Sequence, residues 1–326
     1  MENVGILILW ALVYIYAIIG SIDFGAGFWA MVYLREKNAQ SAAVVNRYLS
    51  PLWEVTNVFL VLFAVALVGV FPVAALIYGN LLLIPGSLIL ILLTIRMVMM
   101  VFVHVVNRFQ IGLRIVSGIT GLLIPALLVT VFPISEGGLI NPINGGNWVL
   151  DFRALLGTWG VYQFVLLGLT SELFISAVFL TDYSRMSGDN DAFQQYRKNA
   201  LWFGPITMLV AAFVPSHFAQ QSWWYIGSGF WLVAVMYFLF SAKKIQSMWR
   251  VRFATIAVAL QYLFAMWAYG KAHYPYLLYP FLTVHNSFTD PTMFKNVILV
   301  LIVGIAILAP GFIWFWRLFL SRRAFV

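Results

Sequence analysis

The chain has 326 residues, 63% of them hydrophobic and 9% charged, with a mean hydropathy of +0.94. These proportions exclude a soluble globular domain and describe a polytopic membrane protein with little mass outside the bilayer. The net charge of +8 comes without a basic cluster interleaved with aromatics, which argues against nucleic acid as a partner. Zero cysteines exclude disulfides, thiolate-ligated haem, iron–sulfur clusters and thiol redox chemistry.

A helix that crosses a hydrocarbon core needs about 20 apolar residues. Segments of that kind fall at 5–33, 53–71, 76–104, 112–133, 154–181, 200–219, 223–241, 250–269 and 294–320, about nine spans. The first has neither a basic leader nor a small-residue cleavage site and reads as a retained helix. Between Val4 and Tyr33 it carries one charge, Asp23, inside Gly20-Ser21-Ile22-Asp23-Phe24-Gly25-Ala26-Gly27. A carboxylate at that depth costs a few kcal/mol, so it should face protein or a wet cavity and have a partner. The glycines thin the helix for close packing. At the second span, Ser50 suits an N-cap and Pro51 a first helical position.

Three long connections stand out by composition. The one at 134–153 is rich in Gly, Asn and Pro and reads as an irregular cap. The one at 182–199, with Asp182, Arg185, Asp189, Asp191, Arg197 and Lys198, reads as a solvated hydrophilic turn. The one at 270–293 is aromatic and proline-rich. None is large enough for a catalytic domain, so chemistry belongs to the membrane interior or to a partner.

Lys and Arg set the expected orientation. Arg35, Lys37, Arg47, Arg108, Arg114, Arg185, Arg197, Lys198, Lys243, Lys244, Arg250, Arg252, Arg317, Arg322 and Arg323 fall on one side; only Arg153, Lys271 and Lys295 fall on the other. That asymmetry predicts the N-terminus outside and the C-terminus in the cytoplasm. The stretch from Gly20 to Arg35 is similar to that from Gly168 to Arg185. A duplicated design follows: a single membrane domain over 1–326, with one four-helix bundle at 1–133, a second at 154–269 and an additional peripheral helix at 294–320.

Four ionisable residues fall within spans: Asp23, Glu54, Arg96 and Glu172. With the expected orientation, all four sit in the cytoplasmic half. Two readings stay open. Arg96 can pair with Glu54 or Asp23 to lock helices together, or the carboxyls can relay protons inward. The histidines, His104, His217, His273 and His285, share no mid-membrane level, so no haem-ligand pair is expected. No spacing of His and carboxylates suits a metal. Tryptophans near segment ends, such as Trp10, Trp148, Trp223, Trp224, Trp314 and Trp316, read as interfacial anchors.

Ile22-Asp23-Phe24-Gly25-Ala26-Gly27 resembles the F-D-x-G-x-G signature of subunit II of cytochrome bd-type quinol oxidases. Pro51-Leu52-Trp53-Glu54, followed by Asn57-Val58-Phe59, resembles that family's P-H-W-D-G-N-Q-V-W segment. Arg96 falls where the family has an arginine in its third helix, and His285-Asn286-Ser287-Phe288-Thr289-Asp290 looks like its loop before the last helix. The resemblance runs the whole length. Departures are Leu52 for the histidine, Glu54 for the aspartate, Val55-Thr56-Asn57 for G-N-Q, and Phe59 for a tryptophan implicated in an oxygen route. Glu172 has no counterpart in these signatures.

The resemblance implies a non-haem subunit of a terminal oxidase in the bacterial cytoplasmic membrane. Haem b and haem d would be carried by the partner, subunit I, with no cofactor, metal or catalytic group on this chain. The complex would oxidise membrane quinol and reduce oxygen to water with cytoplasmic protons. Asp23, Glu54 and Arg96 would line the proton path; Glu172, which the resemblance does not reach, joins it as a further member on its place within the fifth span alone. A small accessory subunit, membrane lipid and quinone are further candidate partners. The rival reading is a proton-coupled secondary transporter, whose helices tend to be broken at midplane in both halves; here Pro125 has no obvious mate. A third is an assembly partner whose charges only bind helices together.

Overall fold

The computed structural model describes the backbone of residues 1–34, 39–105, 109–143, 147–214 and 222–321, and the same side chains except those of 39–54, 104–105, 142–143, 147, 222–227, 312 and 315–321. In chain order the elements are α1 (Glu2–Val32), α2 (Ala39–Val70), α3 (Pro72–Leu81), α4 (Leu83–Val105), α5 (Gln110–Val129), α6 (Val131–Ser135), β1 (Ile140–Ile143), β2 (Asn147–Leu150) and α7 (Phe152–Gly157). There follow α8 (Trp159–Ser187), α9 (Asn190–Phe213), α10 (Ser222–Ser241), α11 (Met248–His273), β3 (Tyr276–Leu278), β4 (Leu282–Thr283), α12 (Val284–Ser287) and α13 (Pro291–Ser321). Among the described residues the architecture is all-α apart from two short hairpins.

Among the described residues six helices are long and apolar enough to cross a membrane: Glu2–Val32, Leu83–Val103, Gln110–Ser135, Trp159–Ser187, Met248–His273 and Pro291–Gly311. Shorter apolar helical stretches run over Val55–Val70, Pro72–Leu81 and Ser228–Ser241.

The helix with Asp23 is the hub of the fold. α1 packs against α2, α5, α8 and α11. Apolar burial does little to press helices together in lipid, so close packing and internal polar contacts must hold them. The small residues serve that purpose. Ala26 and Ala30 of α1 share one buried cluster with Ala177 of α8, Ala200 of α9 and Ala254 and Ala257 of α11. A second cluster joins Leu9 and Leu12 of α1 to Val70, Phe71 and Ala74, and to Leu278 and Leu282 of the second hairpin.

The structure corrects three local expectations. α2 begins at Ala39 and runs through Ser50 and Pro51 without interruption, so the second helix starts well before the expected cap. The expected third span is two helices, because Leu82 closes α3 before α4 starts. The hydrophilic stretch 182–199 is mostly helix: α8 runs to Ser187, Gly188 takes the left-handed conformation at φ 76°, and the Asp189 side chain caps α9 at the Ala192 amide. Asp182 and Arg185 are buried there, and Arg185 donates to Asp182 Oδ1 from Nε and Nη2 at 2.9 and 2.6 Å. Charges spaced i, i+3 neutralise each other on one helix face, so the helix continues.

The two long connections at the other end of the helices each carry a hairpin. Ile140 pairs with Leu150 and Asn141 with Val149 in the β1–β2 hairpin. Tyr276 pairs with Thr283 and Leu278 with Leu282 in the second. They are stitched together where the Tyr279 amide donates to the Ser135 carbonyl at 2.9 Å. Gly137, at φ 89°, lies against Tyr279 so closely that a Cβ there would sit 2.8 Å from the Tyr279 carbonyl carbon.

Candidate functional site

Residues 20–27 are helical throughout and present two different faces. Positions 23 and 27 share one face, being four apart, whereas position 25 is turned about 200° from position 23. The first face meets α4 and α5, the second α8.

On the first face lies the arginine. Arg96 is 2% exposed and Asp23 3% exposed. Arg96 Nη2 donates to Asp23 Oδ1 at 3.2 Å and to the Asp23 carbonyl at 2.7 Å, while Nη1 donates to the Ser117 carbonyl of α5 at 2.9 Å. Its guanidinium stands 5.1 Å over the Phe24 ring. One planar fork thereby ties α1, α4 and α5, a task suited to arginine because its donors diverge in a fixed plane. The space for it exists because of glycine. A Cβ at Gly27 would sit 2.5 Å from Arg96 Nη1, and one at Gly121 would sit 2.9 Å from the same atom and 2.8 Å from the Phe24 carbonyl.

On the second face lies Glu172. A Cβ at Gly25 would meet Ser176 Cβ at 2.6 Å and the Glu172 carbonyl at 3.1 Å, so α1 and α8 touch backbone to backbone there. Glu172 is fully buried, and neither carboxyl oxygen has a hydrogen-bond partner among the described residues. It lies within electrostatic reach of both Arg96 and Asp23.

Of the four residues singled out by the sequence, three gather about one short segment of α1. Of the two partners expected for Arg96, Asp23 is the one it meets. Glu54 falls on α2, but its side chain lies outside the described residues. Two residues on, Thr56 is buried, and a Cβ at Gly20 would lie 3.9 Å from it, so this part of α2 packs on the α1 segment before Asp23.

Sequence reasoning missed several polar groups. Tyr16, seven residues before Asp23 on the same face, is 9% exposed, and its hydroxyl has no partner among the described residues. On the other face, Trp29 Nε1 donates to Ser176 Oγ at 3.0 Å, and the Tyr33 hydroxyl accepts from Gln195 at 3.0 Å and from Asn199 at 2.5 Å. The signal available was Ser176 one turn after Glu172, and Ser117, Gly118 and Gly121 clustered on α5. His273 stacks on Tyr269 with centroids 5.5 Å apart, and His285 faces Glu2 at 2.9 Å. Among the described residues no three His, Asp or Glu side chains converge as a metal site would require.

The fold and this interior define a class: a polytopic α-helical membrane protein whose buried charges surround one hub helix. Residues 1–319 match the family model of cytochrome bd terminal oxidase subunit II. The chain is 38% identical over 336 aligned positions to the putative cytochrome bd menaquinol oxidase subunit II of Bacillus subtilis (strain 168), covering 99% of this chain and 96% of that one. The fold matches the bd oxidase structure from Geobacillus thermodenitrificans with a TM-score of 0.76 at 38% identity, over 98% of both chains. The chain belongs to the family of subunit II of cytochrome bd terminal oxidases. It is therefore a subunit of an oxidoreductase complex, has a subunit I as partner, and is a multi-pass protein of the bacterial cytoplasmic membrane.

Proposed function

We propose that this subunit supports assembly of the oxidase and brings cytoplasmic protons toward the oxygen-reducing site of subunit I. Asp23, Glu54 and Glu172 are the proton carriers, and Arg96 fixes the first of them. The observation that carries the reading is Glu172, fully buried with both carboxyl oxygens unpartnered among the described residues and within electrostatic reach of a second buried acid, Asp23. A purely structural charge in lipid is expected to be paired, because an unpaired one costs several kcal/mol.

Haem b and haem d in subunit I would supply the electron chemistry, and this chain would supply scaffold and protons. The name of the Bacillus subtilis relative favours menaquinol as the quinol oxidised by the complex. The excess of Lys and Arg on one side supports an outer N-terminus, a cytoplasmic C-terminus and nine spans, which set the buried acids in the cytoplasmic half. Packing of α1 on α8, helices that each carry a buried acid, supports the duplicated halves 1–133 and 154–269 with 294–320 added.

The test is quinol-driven oxygen consumption by the assembled complex with Glu54→Gln or Glu172→Gln, normalised to haem content. The reading expects turnover to fall roughly ten-fold or more, the scale of a lost proton-transfer group. Wild-type turnover in both variants at full haem content would leave the acids as scaffold only.

A further inference from the structure

The α1 backbone separates Glu172 from Asp23, and a different set of groups leads away from it. Along α8 the next turn brings Ser176, whose hydroxyl accepts from Trp29 Nε1 at 3.0 Å and donates to the Leu173 carbonyl at 3.2 Å. One turn further along α1, the Tyr33 ring stacks on Trp29, with centroids 6.1 Å apart and planes 15° apart. Its hydroxyl is held by the amides of Gln195 and Asn199 from α9. Gln195 also lines an open surface cavity of about 520 Å³, together with Asp191, Gln194, Arg197, Lys198 and Leu201.

These groups make a polar seam between α1, α8 and α9. Tyr33 lies eight residues past Gly25, about 12 Å along the helix. The seam therefore starts at a hydrophilic surface and ends at the level of Glu172.

We infer that Glu172 exchanges its proton with bulk water through this seam, from the cavity at the start of α9 past Tyr33 and Ser176, and not through the Asp23–Arg96 site. Water in the cavity gives up the proton, and the Glu172 carboxylate takes it. Tyr33 and Ser176 are the hydroxyls on the line, each able to accept and to donate. Gln195 and Asn199 position Tyr33. The Trp29 indole donates only, so it holds Ser176 and forms the constriction of the route. The inference rests on the proposal that Glu172 carries protons in the enzyme.

Hydrogen–deuterium exchange of the protonated-carboxyl C=O stretch, followed by infrared spectroscopy on the assembled complex, tests it. Loss of the band in Glu172→Gln identifies it. Tyr33→Phe, which keeps the ring stack, and Gln195→Leu, at the cavity rim, should each slow exchange roughly ten-fold, and Asp23→Asn should leave it unchanged. Wild-type exchange in both Tyr33→Phe and Gln195→Leu, slowing by Asp23→Asn alone, or no Glu172-dependent band would overturn the route. Slowed exchange with undiminished oxygen consumption in Glu172→Gln would uphold the route and remove Glu172 from turnover. Impaired turnover in Glu172→Gln with exchange untouched by the seam variants would do the reverse.

Discussion

Arg96 is shared by three helices, and its removal separates a structural role from a chemical one. Arg96→Leu leaves Asp23 buried without its partner, and loss of one member of a buried pair costs about 3–5 kcal/mol. The complex should then lose thermal stability and subunit II content. Replacing both groups with leucine removes the stranded charge and should recover most of that stability, because apolar replacements of buried pairs are often neutral. The two readings differ in oxygen consumption. If Asp23 carries protons, the stable double variant stays slow; if the pair is only a brace, turnover returns with stability. The presence of a partner for Asp23 was legible from the sequence, since a lone carboxylate in a span is too costly to leave unpaired. The cradle was not. The contacts of Ser117 and Gly121 with Arg96 and Phe24 depend on how α5 lies against α1, and residue spacing does not encode that approach.

At the scale of elements, the close approach of α1 to α5 and α8 rests on missing side chains. Gly121→Ala puts a Cβ 2.8 Å from a backbone carbonyl that cannot move without its helix. Limited proteolysis and haem content should both report poor assembly. Gly137→Ala is strained twice over, by a positive φ and by contact with Tyr279, and should loosen both hairpins in amide exchange. Asp151 caps α7, and the Ala154 amide, the Asn141 side chain and the Arg153 amide together hold its carboxyl below the usual carboxylate range. A lowered carboxyl contributes stability above its unfolded value, about 3.9, and loses it as pH falls through the lower folded value. Amide protection at Arg153 and Ala154 should therefore hold from neutral pH down to about 4 and drop below it. In Asp151→Asn the drop should vanish. The hairpins themselves were hidden in sequence, because they are fixed by pairing of Ser135 with Tyr279 across two distant connections. The charged stretch at 182–199 looked solvated for a related reason: Asp182 and Arg185 are hydrophilic one by one, yet buried once paired.

For the whole molecule, hydropathy and the placement of charge carried the class of protein, and the glycine-rich segment with Pro51 to Phe59 carried the family resemblance. Their place within apolar spans located Asp23, Glu54, Arg96 and Glu172, and the resemblance reached the first three of them again. What no linear reading reached is the division of the interior by α1, with a paired acid on one side and an unpaired one on the other. The most direct test of proton delivery through this subunit is time-resolved proton uptake from the bulk during the reaction of the reduced complex with oxygen. It should be measured in the wild type and in Glu172→Gln, with haem content matched. Proton delivery through the buried acids predicts uptake slowed roughly ten-fold or more while the haems remain fully loaded. Uptake at the wild-type rate and stoichiometry in the variant would contradict it.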